Sequence, residues 1–534
     1  MQIFFKKYYH LMLLPILSII GGIWQGQYTD DPYHWGFIFS NALDLIDGRV
    51  PYSEIFIEYG IFSTLIHAFI LILFNENILS LIGITSIFYS LSIFFIGTIV
   101  QKVTLNKYYS FFSTLILFMI YPWPVSPWIN FISFFFTVLF SFFYLKSEAK
   151  YYFFSGISLG FAYLSFTTVY NFIVILFFIS IGLFFLFNLK KIHLSFFKKN
   201  AYVAISFIFT ILIFFIYLIF NDLISVWINY QKIPFVAAEA SNLDIYNQLL
   251  GYTYFLTLYT FKNFIYEPQL TFFAIVFFSN ILLIFKFLIT FYKYSDFSER
   301  NLNLFIINIL IFSLNIYAQL SDIDKLATSL SLGIISLFIL INSFKNIENK
   351  IIAIFILLFI SSYSFLFAFS LENTKYGASR GAYFKDIKQL NLKYSNTKIL
   401  YFKNQKWSKN SWHILNNFVE TQNRIEKKCN LEYGANLTTN TYLYTLLNYK
   451  KIQLIPFFYK DSGKIFRKNY DNQAINKIQS QIDNENIFVV SFENNDELFN
   501  FSNYGQPIKI DLNAYNNRIN KFLYIYVPKK CLPN

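Results

Sequence analysis

Six carboxylates crowd one short polar stretch, QYTDDPYHWGFIFSNALDLIDGRVPYSEIFIEYGIF, at Asp30, Asp31, Asp44, Asp47, Glu54 and Glu58. Asp30 and Asp31 come just after the first long apolar run, so they sit at a lipid–water boundary. A carboxylate at that depth meets a lipid-borne headgroup, and partial burial tunes it for general-base work. The same pair also suits a plainer role, capping the helix that follows, with Pro32 near its first turn. His34 is a candidate acid/base or sugar contact, or an ordinary polar surface residue. Trp35 suits stacking on a sugar face or anchoring at the interface. A later polar stretch, Leu320–Leu326, adds Asp322, Asp324 and Lys325. Cations suited to a departing phosphate are Arg49, Lys232, Lys262, Lys325 and Arg380. Only the two arginines fork a phosphate bidentately, and each of the five equally fits an interfacial anchor whose long stem snorkels to headgroups.

The elements that must hold these groups are helices in a membrane. Apolar residues are 56% and aromatic residues 22% of the 534-residue chain, whereas soluble chains are about 45–50% apolar. The excess is confined to residues before Leu371. A spanning helix needs about 20 apolar residues, and runs at 8–24, 78–100, 108–122, 128–145, 151–167, 169–189, 200–220, 266–290, 301–319, 326–344 and 350–371 qualify or nearly so. This predicts an all-α polytopic domain of about eleven transmembrane helices. The division within 151–189 is the least distinct. Ile61–Phe74 is too short and reads as interfacial or re-entrant. The opening segment Met1–Trp24 lacks a small-x-small cleavage site and reads as a retained first helix.

Charge orients the bundle. With Ile61–Phe74 not spanning, one side receives Lys6, Lys7, Lys102, Lys107, Lys146, Lys150, Lys190, Lys191, Lys198, Lys199, Lys293, Arg300, Lys345 and Lys350, while the loops on the other receive only Arg49, Lys232, Lys262 and Lys325. By the positive-inside rule the first side and the N-terminus are cytoplasmic. The first outer loop, 25–77, and everything after Leu371 are then extracytoplasmic. The same loop clustering argues against nucleic acid as the reason for the net charge of +13.

Two domains are expected, a transmembrane domain over 1–371 and a small soluble α/β domain over 372–534. Strand-like runs lie at 398–402, 452–458, 486–492 and 521–527, with helical segments at 411–428 and 472–483. The only cysteines, Cys429 and Cys531, both fall in this outer part, where a disulfide between them is expected; two buried free thiols are the alternative. The sequence contains no Walker A loop, no GxGxxG and no clustered His/Cys metal signature.

The order of first helix, acidic pair, amphipathic segment, acidic-aromatic-Gly turn and short apolar helix resembles the C-superfamily (GT-C) of polytopic glycosyltransferases. These include the family-39-like protein O-mannosyltransferases, the lipid A aminoarabinose transferases and the oligosaccharyltransferase catalytic subunit. Asp30–Asp31 matches the family's acidic pair in the first outer loop. Glu58-Tyr59-Gly60-Ile61 looks like the turn that often reads His/Tyr-Pro-Pro-Leu, here without its prolines. Asp322 matches the acid of an Arg-x-Asp-x-x-His-like stretch in bacterial relatives, with Lys325 in place of His.

The resemblance implies an enzyme of the cell envelope that moves a sugar from a polyprenyl-phosphate-linked donor to a glycan, lipid or protein acceptor among membrane lipids. It implies catalysis by Asp30 and Asp31. Substrate contacts would come from His34, Arg49, Glu54, Glu58, Tyr59, Asp322, Asp324, Lys325 and Arg380. A divalent cation is a possible cofactor. Two rivals fit a polytopic chain. A polysaccharide polymerase or O-antigen ligase would concentrate its residues in a large late loop, yet 221–265 carries few charges. A transporter would show ionisable residues within its helices and inverted repeats, and neither is evident here.

Overall fold

The structure is a computed structural model that describes residues 8–27, 35–57, 59–74, 76–120, 129–146, 148–188, 192, 194–228, 231, 268–317, 328, 330–369, 402, 409–438, 442–452, 472–492, 499–511 and 522–532. Its N-terminal part is helical. The elements are α1 (Leu13–Gly26), α2 (Trp35–Ile46), α3 (Ile61–Leu73), α4 (Ile78–Thr104), α5 (Lys107–Met119), α6 (Ile129–Tyr144), α7 (Ala149–Ser165), α8 (Thr167–Asn188), α9 (Leu194–Phe220), α10 (Pro268–Tyr294), α11 (Glu299–Tyr317), α12 (Ile334–Asn342) and α13 (Ile347–Phe369). Each apolar run of spanning length in the sequence carries a helix. Among the described residues five helices are long and apolar enough to cross a membrane, within α4, α8, α9, α10 and α13. The chain is thus a multi-pass membrane protein in class.

Local chemistry sets the joints between helices. The Asn77 side chain accepts a hydrogen bond from Leu79 N (2.8 Å) and opens α4; Asn106 accepts from Tyr108 N (2.9 Å) and opens α5. Such caps satisfy the orphan donors of a first turn. Between these helices Leu105 adopts a left-handed conformation (φ 58°), which turns the chain back sharply.

The continuous apolar stretch around 151–189 is broken at Phe166, between α7 and α8. Tyr59 from the first loop accepts a hydrogen bond on its carbonyl from Thr167 Oγ1 (2.7 Å), and Ser63 Oγ donates to the Ser165 carbonyl. Gly60 makes this approach possible, because a Cβ there would lie 2.3 Å from the Leu164 carbonyl oxygen.

Polar side chains also tie the bundle internally. Asn280 Nδ2 on α10 donates to Asn308 Oδ1 on α11 (3.0 Å), and Ser336 Oγ on α12 donates to the same oxygen (2.5 Å). At the end of the bundle away from the first loop, Lys102 Nζ donates to the Leu145 carbonyl, Arg300 Nη2 to the Val103 carbonyl, and Lys199 Nζ to Asn303 Oδ1. Three of the basic residues expected on the cytoplasmic side thus bond helix ends together there.

The C-terminal part holds α14 (Lys409–Glu426), β1 (Tyr433–Asn436), α15 (Tyr442–Leu446), β2 (Lys450–Lys451), α16 (Asn472–Asp483), β3 (Ile487–Ser491), β4 (Ile508–Asp511), β5 (Phe522–Tyr526) and a 3-10 turn, Lys529–Cys531. The strands form one mixed sheet in the order β2-β1-β3-β5-β4, with β1 parallel to β2 and β3, and β5 antiparallel to β3 and β4.

The central strand β3 is buried on both faces. Its alternation is physical: Ile487 and Val489 join a small core with Ile478 and Ile482 of α16, whereas Phe488 and Val490 join the large core that continues into the helical bundle. Phe418 of α14 meets Phe488 edge-on at 5.9 Å. Strand-like runs at 486–492 and 521–527 carry β3 and β5, and both predicted helical segments carry helices. The runs at 398–402 and 452–458 lie largely outside the described residues. Cys429 and Cys531 are joined by a disulfide, with Cα atoms 5.3 Å apart.

Candidate functional site

The described part of the first loop is a helix followed by a tight turn. In α2 every residue from Trp35 to Asp44 is buried. A surface helix would leave one face in water; this one is wrapped by α3 and by α15 of the C-terminal part. Its polar residues have specific uses. Asn41 Nδ2 donates to the Phe56 carbonyl (2.8 Å) and folds the turn back on the helix. Ser40 and Asp44, one turn apart, share a face. Both accept hydrogen bonds from Lys451 Nζ, each at 2.8 Å.

Asp44 is fully buried and Lys451 is 8% exposed, so this is a buried ion pair between residues 407 apart in the chain. Arg49 completes it. Its Nη1 lies 3.6 Å from Asp44 Oδ1 and donates to the Lys451 carbonyl at 3.5 Å. Asp44 Oδ2 has no hydrogen-bond partner among the described residues. Two cations therefore converge on one carboxylate oxygen in a water-poor site, where breaking the pair leaves a charge uncompensated.

The same face makes two further contacts with the C-terminal part. Thr445 Oγ1 donates to the Gly36 carbonyl at 3.3 Å, and the Phe39 ring packs against Phe402 at 5.9 Å. Beside the ion cluster opens a polar cleft of about 290 Å³. Leu43, Asp47, Arg49 and Glu76 wall one side, and Thr445, Leu447, Asn448, Tyr449, Lys450 and Lys451 wall the other. Burial pushes the phenols of Tyr444 and Tyr449 up from their ordinary value.

After α2 the chain turns at Pro51–Ile55. Tyr52 takes a left-handed conformation (φ 69°) while buried, an arrangement that costs energy unless its surroundings impose it. Its ring packs against Phe214 of α9 at 6.0 Å, and Tyr217 Oη donates to the Pro51 carbonyl at 3.3 Å. Glu54 closes the turn, its Oε2 accepting from Val50 N at 2.9 Å. Tyr59 packs edge-on against Phe37 and Phe166 at 6.3 and 5.5 Å.

Of the residues singled out in the sequence, Asp30, Asp31, His34, Glu58, Asp322, Asp324, Lys325 and Arg380 lie outside the described residues. Arg49, Glu54 and Tyr59 are described, and all three serve the loop's own architecture. Arg49, expected as a phosphate clamp or an anchor, is engaged with Asp44 and the Lys451 carbonyl and also lines the cleft. Sequence reasoning missed Lys451 altogether. Its only signal is the polar pair Ser40 and Asp44 at helical spacing in an otherwise apolar helix, which announces a buried partner without naming it. Among the described residues no three His, Cys, Asp or Glu side chains gather to hold a metal ion.

No protein-family model matches the sequence, and no curated protein is found as a relative. The fold is similar to that of a solved protein, the crystal structure of ArnT from Cupriavidus metallidurans bound to undecaprenyl phosphate. The TM-score is 0.54 at 8% identity, and the match covers 98% of this chain and 99% of that one. At that identity the likeness speaks for the fold, from the first helix through the C-terminal sheet.

Proposed function

We propose that this chain is an integral membrane glycosyltransferase that moves a sugar from a polyprenyl-phosphate-linked donor to an acceptor outside the cytoplasm. The observation that carries the reading is the fold likeness over nearly the whole of both chains. It coincides with an acid-rich first loop that resembles that of the polytopic glycosyltransferases. Fold alone does not assign chemistry, so the residues must supply it. In this reading residues 1–371 form the membrane domain and 372–534 the soluble one. Asp30 deprotonates or orients the acceptor, while Asp31, on an adjacent position, points elsewhere and supports it. Asp322 and Lys325 contact donor or acceptor from the late loop. Cations steady the phosphate as it leaves; Arg49 is engaged with Asp44, and Lys232, Lys262, Lys325 and Arg380 are the other candidates.

The test is transfer by the purified chain in lipid, supplied with a polyprenyl-phosphate sugar and a membrane-fraction acceptor. Release of the polyprenyl phosphate dependent on acceptor supports the reading. Movement of the intact lipid-linked sugar across the bilayer without release would replace it with a transporter.

The proposal also commits to sidedness. Lys198→Cys and Lys450→Cys, both at exposed positions, are expected to react with a membrane-impermeant thiol reagent from opposite sides in intact cells, Lys450→Cys from outside. Labelling of both from one side would overturn the topology.

A further inference from the structure

We propose that the polar cleft between the first loop and the C-terminal part binds an uncharged sugar unit of the acceptor. Giving that sugar to the acceptor rests on the transferase reading; the binding of a sugar does not.

The lining supplies the chemistry. Of the described residues that wall the cleft only Leu43 and Leu447 are apolar. Asp47, just after α2, and Glu76, just after α3, bring carboxylates, which only accept hydrogen bonds. Arg49, Lys450 and Lys451 only donate, while Asn448 and Tyr449 do both. A phosphate would meet Asp47 and Glu76, and a cation would meet Arg49 and the two lysines; like charges brought together cost either ligand affinity. A sugar suits all these walls at once, because each of its hydroxyls both donates and accepts. The volume, about 290 Å³, sits at the small end of the roughly 300–1,000 Å³ of small-molecule sites, so the cleft takes a small portion of a larger molecule.

The walls are set in advance of any ligand. Gln422, fully buried on α14, donates to the Leu446 carbonyl (3.0 Å) and accepts from Asn448 N (3.2 Å), which pins the segment that carries Leu447, Asn448 and Tyr449. The Tyr449 ring packs on Phe488 of β3 at 5.2 Å. On the facing wall Arg49 is held by Asp44 and by the Lys451 carbonyl. Walls fixed in this way lower the ordering cost of binding. Tyr449 is 7% exposed, and its hydroxyl has no hydrogen-bond partner among the described residues. A buried hydroxyl left unpaired calls for an explanation, and a sugar bound against that wall supplies one. The acceptor fits better than the donor. A donor sugar is bonded directly to the lipid phosphate, which Asp47 and Glu76 repel, and the walls hold no apolar run for a polyprenyl chain.

The experiment uses the full chain in lipid nanodiscs, as wild type and as Asp47→Ala, Glu76→Ala and Asn448→Ala, three side chains outside the buried ion cluster. The probes are glucose, N-acetylglucosamine and maltose, with inorganic phosphate as the anion. Saturation-transfer NMR gives the Kd, and amide hydrogen exchange over residues 445–451 locates the binding. The wild type is expected to bind at least one of the three sugars, with slower exchange over 445–451. Asp47→Ala and Glu76→Ala are expected to weaken that binding about 10- to 100-fold, the worth of a hydrogen bond to a charged group, and Asn448→Ala about 2- to 10-fold. Failure of all three sugars to bind, binding unchanged in every variant, or phosphate that displaces the sugar overturns the proposal. Transfer kinetics test the acceptor half: Asp47→Ala is expected to raise KM for a membrane-fraction acceptor about 10-fold and to leave KM for the donor unchanged. A rise confined to the donor's KM overturns that half. A wild-type chain that binds sugar at the cleft but transfers none overturns the transferase reading and leaves the sugar site standing. A chain that transfers without binding sugar there does the reverse.

Discussion

Asp30→Asn is expected to lower sugar transfer by about 10²–10⁴-fold, the usual worth of a positioned general base. The substitution keeps the size of the side chain and removes its charge, so the loss is chemical and not steric. In the proposed reading Asp30, which follows the first apolar run in sequence, works at the membrane boundary. Two adjacent acids at such a boundary are costly unless solvated or used, because desolvation disfavours the charged form. Neighbouring residues on a turn or helix point in different directions, so the two acids are not equivalent, and Asp31→Asn is expected to cost less. The measurement is turnover of both variants, purified in lipid at matched expression. Loss of kcat with KM for the donor unchanged is the mark of an interaction made in the transition state. Near-wild-type turnover in both variants would remove the site and most of the case for a transferase.

The second large effect is structural. The Cys429–Cys531 disulfide closes a segment of 102 residues that contains all five strands of the sheet. Cross-linking a loop of that size restricts the unfolded chain by up to about 4.7 kcal/mol on the chain-entropy account, and loss of a native disulfide costs about 2–5 kcal/mol in small secreted domains. Cys531 is fully buried in the closing 3-10 turn, so its removal also loses packing. The double variant Cys429→Ser/Cys531→Ser is therefore expected to unfold its C-terminal part at a clearly lower temperature than the wild type under non-reducing conditions. The difference is expected to vanish when the wild type is reduced. Equal midpoints before reduction would show that the bond contributes nothing.

Length and polarity made the helical part legible. Runs of apolar residues long enough for a bilayer can be little else, and each carries a helix. Their division was less legible. At the break at Phe166, Ser63 donates to the Ser165 carbonyl at one helix end and the Tyr59 carbonyl accepts from the Thr167 hydroxyl at the other; both partners lie a hundred positions earlier, and no local pattern records them. In the C-terminal part, β3 and β5 stood out as β-branched and aromatic runs. By contrast β1, Tyr433–Asn436, and β4, Ile508–Asp511, are short and partly polar, and became strands only because neighbours paired with them. The candidate acids Asp30 and Asp31 were singled out by residue type and place together with the family resemblance, and they lie outside the described residues. The Asp44–Lys451–Arg49 cluster was not, because its members belong to opposite ends of the sequence and meet only in the fold.

That meeting has a consequence for how the chain is made. Helix α2 emerges within the first fifty residues, yet much of its cover, Phe402, Thr445 and Lys451, is synthesised some four hundred residues later. Throughout that interval a helix bearing Trp35, Phe37, Ile38 and Phe39 has its early neighbours, the turn at Phe56 and α3, but not the C-terminal part that completes its burial. Contacts so distant in sequence close slowly, and exposed apolar surface is what misassociates meanwhile. Until that last fifth of the polypeptide is made, α2 lacks the partners that cover this face. Nascent chains stalled before Lys451 are the forms on which quality-control proteolysis should act.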